Sequence, residues 1–404
     1  MKKILILGGG YAGVSTAIHL KDVDAQVTLV NKHSYHHLTT LLHQPVVGRR
    51  NYQDLSVGLT SLLPPPVKFV RGTVESIRTA EQRVNVKVRG KIVDLDYDIL
   101  VIALGWEPQF FSIPGLKENA LTLHSLNTSR LAKDRIEEAL IAYDENPDER
   151  WRATIVIGGG GLSGIELAGE LIDSRKLMAK SVDISPEEIK IILVEGAPRL
   201  LPGLDPWLAE TSERYLKAKG VQCLTNTRIT NMQDHTLTLS DGVTIQAGAV
   251  LWTGGVRGNA LLEKNGFSVD RQGRVETNDF LQTKDPSNIF VTGDCASTTD
   301  GHGKPFPPTA WLAVQQGRHT ALNIRRLLAG NTLLPYVAEA KALVLSLGRR
   351  YAVGIVAGHR ISGKTAAMLK DALAYKYLYD IGGIPLAWQK FWEWAPYLVL
   401  MHRD

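Results

Sequence analysis

Residues 1–20, MKKILILGGGYAGVSTAIHL, decide the fold. Ile4 to Leu7 form a short apolar run, the mark of a strand buried on both faces. Gly8-Gly9-Gly10-Tyr11-Ala12-Gly13 follows, then a helical pattern to Leu20. Strand, G-x-G-x-x-G turn and helix in that order build the phosphate-binding corner of a dinucleotide fold. Gly8 permits the tight turn, Gly10 lets the backbone approach a pyrophosphate, and Gly13 lets the helix pack on the strand. The phosphates would sit at the helix N-terminus, where free N–H groups and the dipole favour an anion. Val27 to Val30 is the next parallel strand, ending in Asn31. An amide there can bond ribose hydroxyls, or it can simply turn the chain. The first residues superficially resemble a signal peptide, but the glycines cut the apolar run too early for one.

The pattern recurs. Thr154 to Ile157 reads as a strand, followed by Gly158-Gly159-Gly160-Gly161-Leu162-Ser163-Gly164 and a helix from Ile165. Gly159, Gly161 and Gly164 fill the three roles. The next strand, Ile191 to Val194, ends in Glu195. An acid there accepts bonds from a ribose 2′-OH and repels a 2′-phosphate, which favours NADH over NADPH. Its plainer role is to cap the strand. The spacing from Gly159 to Glu195 is long, and an insertion around Leu177 to Glu188 accounts for it. Two such loops imply two nucleotides, FAD at the first and a nicotinamide at the second. Asn288 to Thr292 then Gly293-Asp294-Cys295-Ala296 places an acid where it suits the ribityl chain of FAD. Asp98 to Ala103, then Leu104-Gly105, reads as another parallel strand.

Composition fits a soluble globular protein with a real core. The chain has 404 residues, 44% hydrophobic and 22% charged, with a net charge of +5. That length suits two or three domains. There is no basic stripe with interleaved aromatics, so nucleic acid is not expected. Two cysteines, Cys223 and Cys295, make neither a disulfide framework nor a metal-ligand spacing. No run of about 18 apolar residues offers a membrane span.

Several stretches together resemble one family, the type II NADH dehydrogenases, single-subunit NADH:quinone oxidoreductases. They are GGGYAG, VTLVNKHSYHHLTTLLHQP, GGGGLSGIELAGEL, VLWTGGVRGN, NIFVTGDCA, PPTAWLAVQQG, SLGRRYAVGIVAG and YLYDIGG. The Asn31-Lys32 pair resembles the variant found in Gram-positive bacteria. The resemblance implies an α/β, glutathione-reductase-like flavoprotein with two Rossmann-like domains and a membrane-associating C-terminal segment. FAD binding would fall to residues 1–115 and 275–330, NADH binding to 116–274, and quinone and membrane docking to 331–404. It also implies one non-covalent FAD, NADH as donor and menaquinone or ubiquinone as acceptor. No proton pumping, a homodimer, and peripheral attachment to the cytoplasmic face of the membrane complete the expectation.

Residue by residue, the resemblance places Gly8, Gly10, Gly13, Asn31, Lys32, Thr40, Val74, Gly105, Asp294 and Ala310 around FAD. His43-Gln44 lie in a segment that runs near the flavin ring. Gly159, Gly161, Gly164, Glu195, Gly254 and Gly255 fall on the nicotinamide side. Glu166, expected on the first turn of its helix, and Lys370 are the candidate catalytic residues. A carboxylate at Glu166 could bond the carboxamide or carry protons; its plainer role is to favour the helix dipole. An ammonium at Lys370 would stabilise negative charge on reduced flavin; its plainer role is a solvated helix face. Glu170, one turn on, is expected to pack or pair. Trp311, Gln315 and Leu373 are the expected quinone contacts.

Trp311 stands where the family has Gln. Residues 307–317 read as a helix start with Thr309 as N-cap. Trp311 and Gln315, four apart, share one face. The altered face leaves open a diaphorase, NADH oxidase or redox sensor with impaired quinone access. Sulfide:quinone oxidoreductases need a redox cysteine pair with one member late in the chain, and no cysteine follows Cys295. The C-x4-C of disulfide reductases is also absent. From Lys370 on, Tyr375, Tyr377, Tyr379, Trp388, Phe391, Trp392, Trp394 and Tyr397 crowd together, with Lys376 and Lys390 among them. Aromatics and cations so mixed suit a membrane interface or an oligomer contact.

Overall fold

The computed structural model describes residues 1–299, 306–339 and 342–399, with side chains through residue 396. Contacts divide the chain into two units, Met1–His37, Ser56–Glu107 and Val256–Ala340 in the first, and Leu38–Leu55, Pro108–Gly255 and Lys341–Asp404 in the second.

The first unit is built on a five-stranded parallel sheet. Its order is Ile289–Val291, Ile99–Ile102, Lys2–Leu7, Ala25–Asn31, Val67–Arg71. The central strand puts Ile4 opposite Val27 on one side and Ile99 on the other. Ile4 to Leu7 are all buried, as a parallel strand covered on both faces requires. The helix Tyr11–His19 follows the first glycine loop and packs on the helix Ala310–Leu328. Gly317 makes that approach: a Cβ there would lie 2.3 Å from the Ala12 carbonyl oxygen. Ser15 Oγ donates to the Val314 carbonyl at 2.9 Å and Thr16 Oγ1 to that of Gly317 at 3.1 Å. An antiparallel sheet of Thr73–Arg78, Arg83–Val88 and Lys91–Asp96 completes the unit.

The second unit repeats the plan. Its parallel sheet runs Leu121–Thr122, Ala249–Trp252, Thr154–Gly158, Lys190–Val194, Gln222–Leu224. Two antiparallel sheets accompany it, Ile229–Gln233 with Thr236–Leu239 and Thr244–Gln246, and Ala342–Ser346 with Ala352–Val356 and His359–Gly363. The α/β class with two Rossmann-like units is therefore the observed architecture.

The contact units do not share the boundaries expected from sequence. Val46 and Val47 are buried in the same core as Leu167 and Leu171, and so are Leu345, Leu347 and Val353. The segments around Val46 and around Leu345 thus join the second unit through apolar packing. Leu262 enters the core of the first unit, beside Leu5 and Val291, and takes residues 256–274 with it.

The C-terminal helix, Lys364–Val399, is broken at Gly383, whose φ of 65° and ψ of −163° suit glycine alone. Beyond the break, one side is latched to residues 50–54. Trp394 is fully buried, and its Nε1 donates to the Asp54 carbonyl at 3.3 Å. Lys390 Nζ donates to the same oxygen at 2.9 Å. The Arg50 guanidinium stacks 3.9 Å over the Trp394 ring. Ile384, Trp388 and Trp392, spaced by four, form an exposed stripe at 71%, 60% and 58%. Among the described residues no helix is long and apolar enough to cross a membrane. The Tyr397 side chain and residues 400–404 of this aromatic segment lie outside the described residues.

Candidate active site: two glycine loops and a buried charge cluster

The two glycine loops match in φ and in their close approaches. Gly8 and Gly159 have φ of +107° and +109°, which turns the strand sharply into the loop. A Cβ on Gly13 would lie 1.9 Å from the Gly8 carbonyl oxygen; on Gly164 it would lie 1.9 Å from that of Gly159. Gly10 and Gly161 are the helix N-caps, neither helix has a side-chain cap, and a Cβ on either would meet nothing within 4 Å. Each helix therefore begins at a glycine with open space beside it and no side chain across its end, a cradle that fits a pyrophosphate. The middle glycine is tied to the strand-end residue in both. Asn31 Oδ1 accepts from Gly9 N at 3.0 Å, and Glu195 Oε2 accepts from Gly160 N at 2.6 Å. Glu195 Oε1 also accepts from Ala197 N at 2.7 Å. The strand-capping role of Glu195 is thus real, and Asn31 likewise donates back to His33 O at 2.9 Å.

Glu166 and Lys370, far apart in sequence, meet as an ion pair of 2.7 Å. Glu166 lies on the second turn of the helix Leu162–Ser181, not the first, because the helix begins at Leu162. It is buried, and Ser346 N donates to Oε1 at 3.1 Å. Lys370 Nζ also donates to the Val344 carbonyl at 3.0 Å. Burial alone would raise the Glu166 carboxyl. The Lys370 ammonium and the Ser346 N–H pull it the other way, and the group stands below the usual carboxylate range. One turn on, Glu170 is fully buried and paired with Arg49, as its expected role requires. His43 lies between the two carboxylates. Arg49 and Ser346 carry no signal in the sequence: their partners stand 121 and 180 residues away.

Asp294 follows Gly293 in the first unit. Burial raises its carboxyl to about 6 against the opposing pull of Arg274. Cys295 beside it is fully buried, its thiol pushed up to about 11 by burial, so it is a small core residue. Gly105 has a φ of +70° and open space around it. Lys32 and Thr40 are exposed, Val74 packs against the core, and Ala310 begins its helix. In the second unit, a Cβ on Gly254 would strike the Trp252 ring at 2.5 Å and one on Gly255 the Phe111 ring at 2.9 Å. Leu373 packs beside Val344, Ala352 and Ala366.

The helix Ala310–Leu328 starts as expected, with Thr309 Oγ1 accepting from Leu312 N at 3.3 Å. Trp311 and Gln315 do share a face, and that face holds main chain. Trp311 Nε1 and Gln315 Nε2 donate to the Glu339 carbonyl at 3.0 and 2.7 Å, and Gln315 Oε1 accepts from Glu339 N at 3.1 Å. The neighbouring Gln316, which sequence reading passed over, is buried. It accepts from Gly293 N at 2.6 Å and donates to Thr298 Oγ1 at 3.2 Å. Its spacing of four from Leu312 and Thr320, both buried, was the available signal.

The signature of the pyridine nucleotide-disulphide oxidoreductases matches residues 2–317. A type II NADH:quinone oxidoreductase of Staphylococcus epidermidis is 36% identical over 399 residues, spanning 96% of this chain and 98% of that protein. The protein of the same name from Staphylococcus aureus is 35% identical over the same share of both. The fold matches that of NDH2 from Plasmodium falciparum in complex with NADH, with a TM-score of 0.87 at 16% identity over 100% of this chain and 98% of that one. It also matches the sulfide:quinone oxidoreductase of Aquifex aeolicus, with a TM-score of 0.78 at 20% identity over 94% and 91% of the chains. With a family signature over most of its length and curated relatives above one third identity end to end, this chain belongs to the type II NADH:quinone oxidoreductases, within the pyridine nucleotide-disulphide oxidoreductase family.

Proposed function

We propose that the protein is an FAD-dependent NADH:quinone oxidoreductase that does not pump protons. The observation that carries the reading is the pair of equivalent glycine cradles, each at the end of its own parallel sheet. Gly8, Gly10, Gly13, Asn31, Lys32, Thr40, Val74, Gly105, Asp294 and Ala310 are assigned to non-covalent FAD. Gly159, Gly161, Gly164, Glu195, Gly254 and Gly255 are assigned to NADH. The Glu195 carboxylate favours a free ribose over a 2′-phosphate. When bound, FAD would supply the redox chemistry, a two-electron route from NADH to quinone.

The protein supplies orientation, charge and protons. Lys370 brings a cation that stabilises developing negative charge. Glu166, held ionised by that ammonium, is assigned as the second catalytic residue, the carboxylate beside it. Trp311, Gln315 and Leu373 are assigned to the quinone. The expected regions, 1–115 with 275–330 for FAD, 116–274 for NADH and 331–404 for docking, remain the functional division proposed. The exposed stripe at Ile384, Trp388 and Trp392 supports peripheral attachment to a membrane, and the cytoplasmic face and a homodimer complete the reading.

One observation favours a second reading. The face of Trp311 and Gln315 is engaged with the Glu339 main chain, which fits a diaphorase or redox sensor with restricted quinone access. Stopped-flow absorption separates the two. NADH is expected to bleach the flavin band, and a menaquinone or ubiquinone analogue to restore it. No bleaching by NADH would overturn the reading; bleaching without recovery under any quinone would replace it with the second.

A further inference from the structure

The mechanism leaves His43 unused. Its Nδ1 lies 3.8 Å from Glu166 Oε2, and its Nε2 lies 3.9 Å from Glu170 Oε1. Ser346 Oγ stands 3.5 Å from Nε2. The ring is buried. The charged groups that bear on it come from three elements. The helix Leu162–Ser181 gives both carboxylates, the C-terminal helix gives Lys370, and the turn after His43–Val46 gives Arg49. The packed helix Leu126–Glu145 adds the Ser129 hydroxyl, which donates to the Leu42 carbonyl at 3.0 Å.

With a neutral imidazole these four charges sum to zero. Each carboxylate then has its own cation, Lys370 on Glu166 and Arg49 on Glu170. Burial, the largest influence, keeps the ring below its ordinary range against the upward pull of both glutamates. The two cations differ in how firmly they are held. Arg49 is buried at 6% exposure, whereas Lys370 is 19% exposed and sits on a flexible stem. Lys370 is the partner that can leave. Its departure would strand a buried carboxylate, which must then find another cation or take up a proton itself.

We propose that His43 is the reserve partner of Glu166: neutral while the Lys370 pair is closed, and protonated from solvent when Lys370 is drawn away. The inference rests on the proposed role of Lys370 as a cation that attends negative charge elsewhere. His43 is then a positioning residue that decides whether the incoming proton lands on a ring nitrogen or on Glu166. The step is a single proton uptake, imidazole plus a proton giving imidazolium, with no other bond changed.

The test is histidine NMR on the full-length flavoprotein carrying 13C-labelled His, with the His43 signal identified by its loss in His43→Asn. In the wild type that signal is expected to stay neutral from about pH 6 to pH 8, spanning the ordinary imidazole range. In Lys370→Met it is expected to titrate, with its midpoint raised by about one unit or more. Lys370→Arg, which keeps the cation, is expected to restore the unshifted signal. Lys370→Gln repeats the measurement should the methionine variant not fold. His43→Asn is further expected to move the acid limb of the kcat profile for quinone reduction and leave KM for NADH unchanged. A His43 signal that does not respond to removal of the Lys370 charge overturns the proposal, even in an active enzyme. Failure of the wild type to reduce any quinone would instead overturn the proposed function, with the titration still readable.

Discussion

Asp294 shows what burying a single carboxyl costs the fold. Its folded value of about 6 lies well above the ordinary Asp value of 3.8, chiefly through burial. The native state therefore holds the proton more tightly than the unfolded chain. Stability falls as pH rises between those two values, and the loss stays constant above them. A shift of roughly two units corresponds to about 2–3 kcal/mol. Asp294→Asn removes the ionisation, so the flavin-free protein should gain thermal stability at pH 7.5 and gain nothing below about pH 4. Identical melting curves for the two forms at pH 7.5 would refute this. If Asp294 bonds the ribityl chain as proposed, the same variant should release flavin more readily, measured as the fraction retained on gel filtration. A group that weakens the empty protein is retained where its ligand repays the loss.

At the scale of elements, the glycine loops were legible because their constraint is local. A strand, a turn that only glycine can make and a helix lie within twenty residues, and the spacing alone assigns the three roles at Gly8, Gly10 and Gly13 and again at Gly159, Gly161 and Gly164. Alanine at the third glycine must displace a backbone oxygen 1.9 Å away, an overpacking of about 1–3 kcal/mol focused on one loop. Gly13→Ala should lose flavin absorbance on purification. Gly164→Ala should keep it but resist bleaching at NADH concentrations that saturate the wild type. Flavin loss in both variants, or in neither, would contradict the assignment. The charge cluster was legible only in part. Glu166 and Lys370 each stand out singly in the sequence, yet their pairing, and the entry of Arg49, His43 and Ser346, depends on contacts across more than a hundred residues. Trp394 illustrates the same limit. The sequence marks it as one more aromatic in an interfacial run, whereas folding buries it under Arg50. Trp394→Ala should destabilise by about 3–5 kcal/mol, read by denaturant unfolding. A loss within experimental error would show that the latch contributes nothing.

For the whole molecule, one architectural plan is used twice, and neither unit is a continuous stretch of chain. This is why linear boundaries drawn from motif positions miss the contact units. The motifs mark sheets, whereas membership is decided by which core a later segment enters. Leu345, Leu347 and Val353 come late in the chain yet share their core with strands near residue 155. The stripe at Ile384, Trp388 and Trp392 should govern attachment to lipid as a whole-protein property. Trp388→Ser with Trp392→Ser should lower vesicle binding in flotation by about tenfold or more while leaving the melting temperature unchanged. Undiminished flotation would place the docking surface elsewhere. The latch that buries Trp394 and exposes Trp388 and Trp392 also has an optical consequence. Of the eight tryptophans, these two are the most exposed among the described residues. Emission from an exposed indole shifts to shorter wavelength on entering hydrocarbon, while an indole sealed beneath a guanidinium keeps its colour. If the stripe enters lipid as proposed, the protein carries its own fluorescent gauge of that contact, with a buried indole a few residues away.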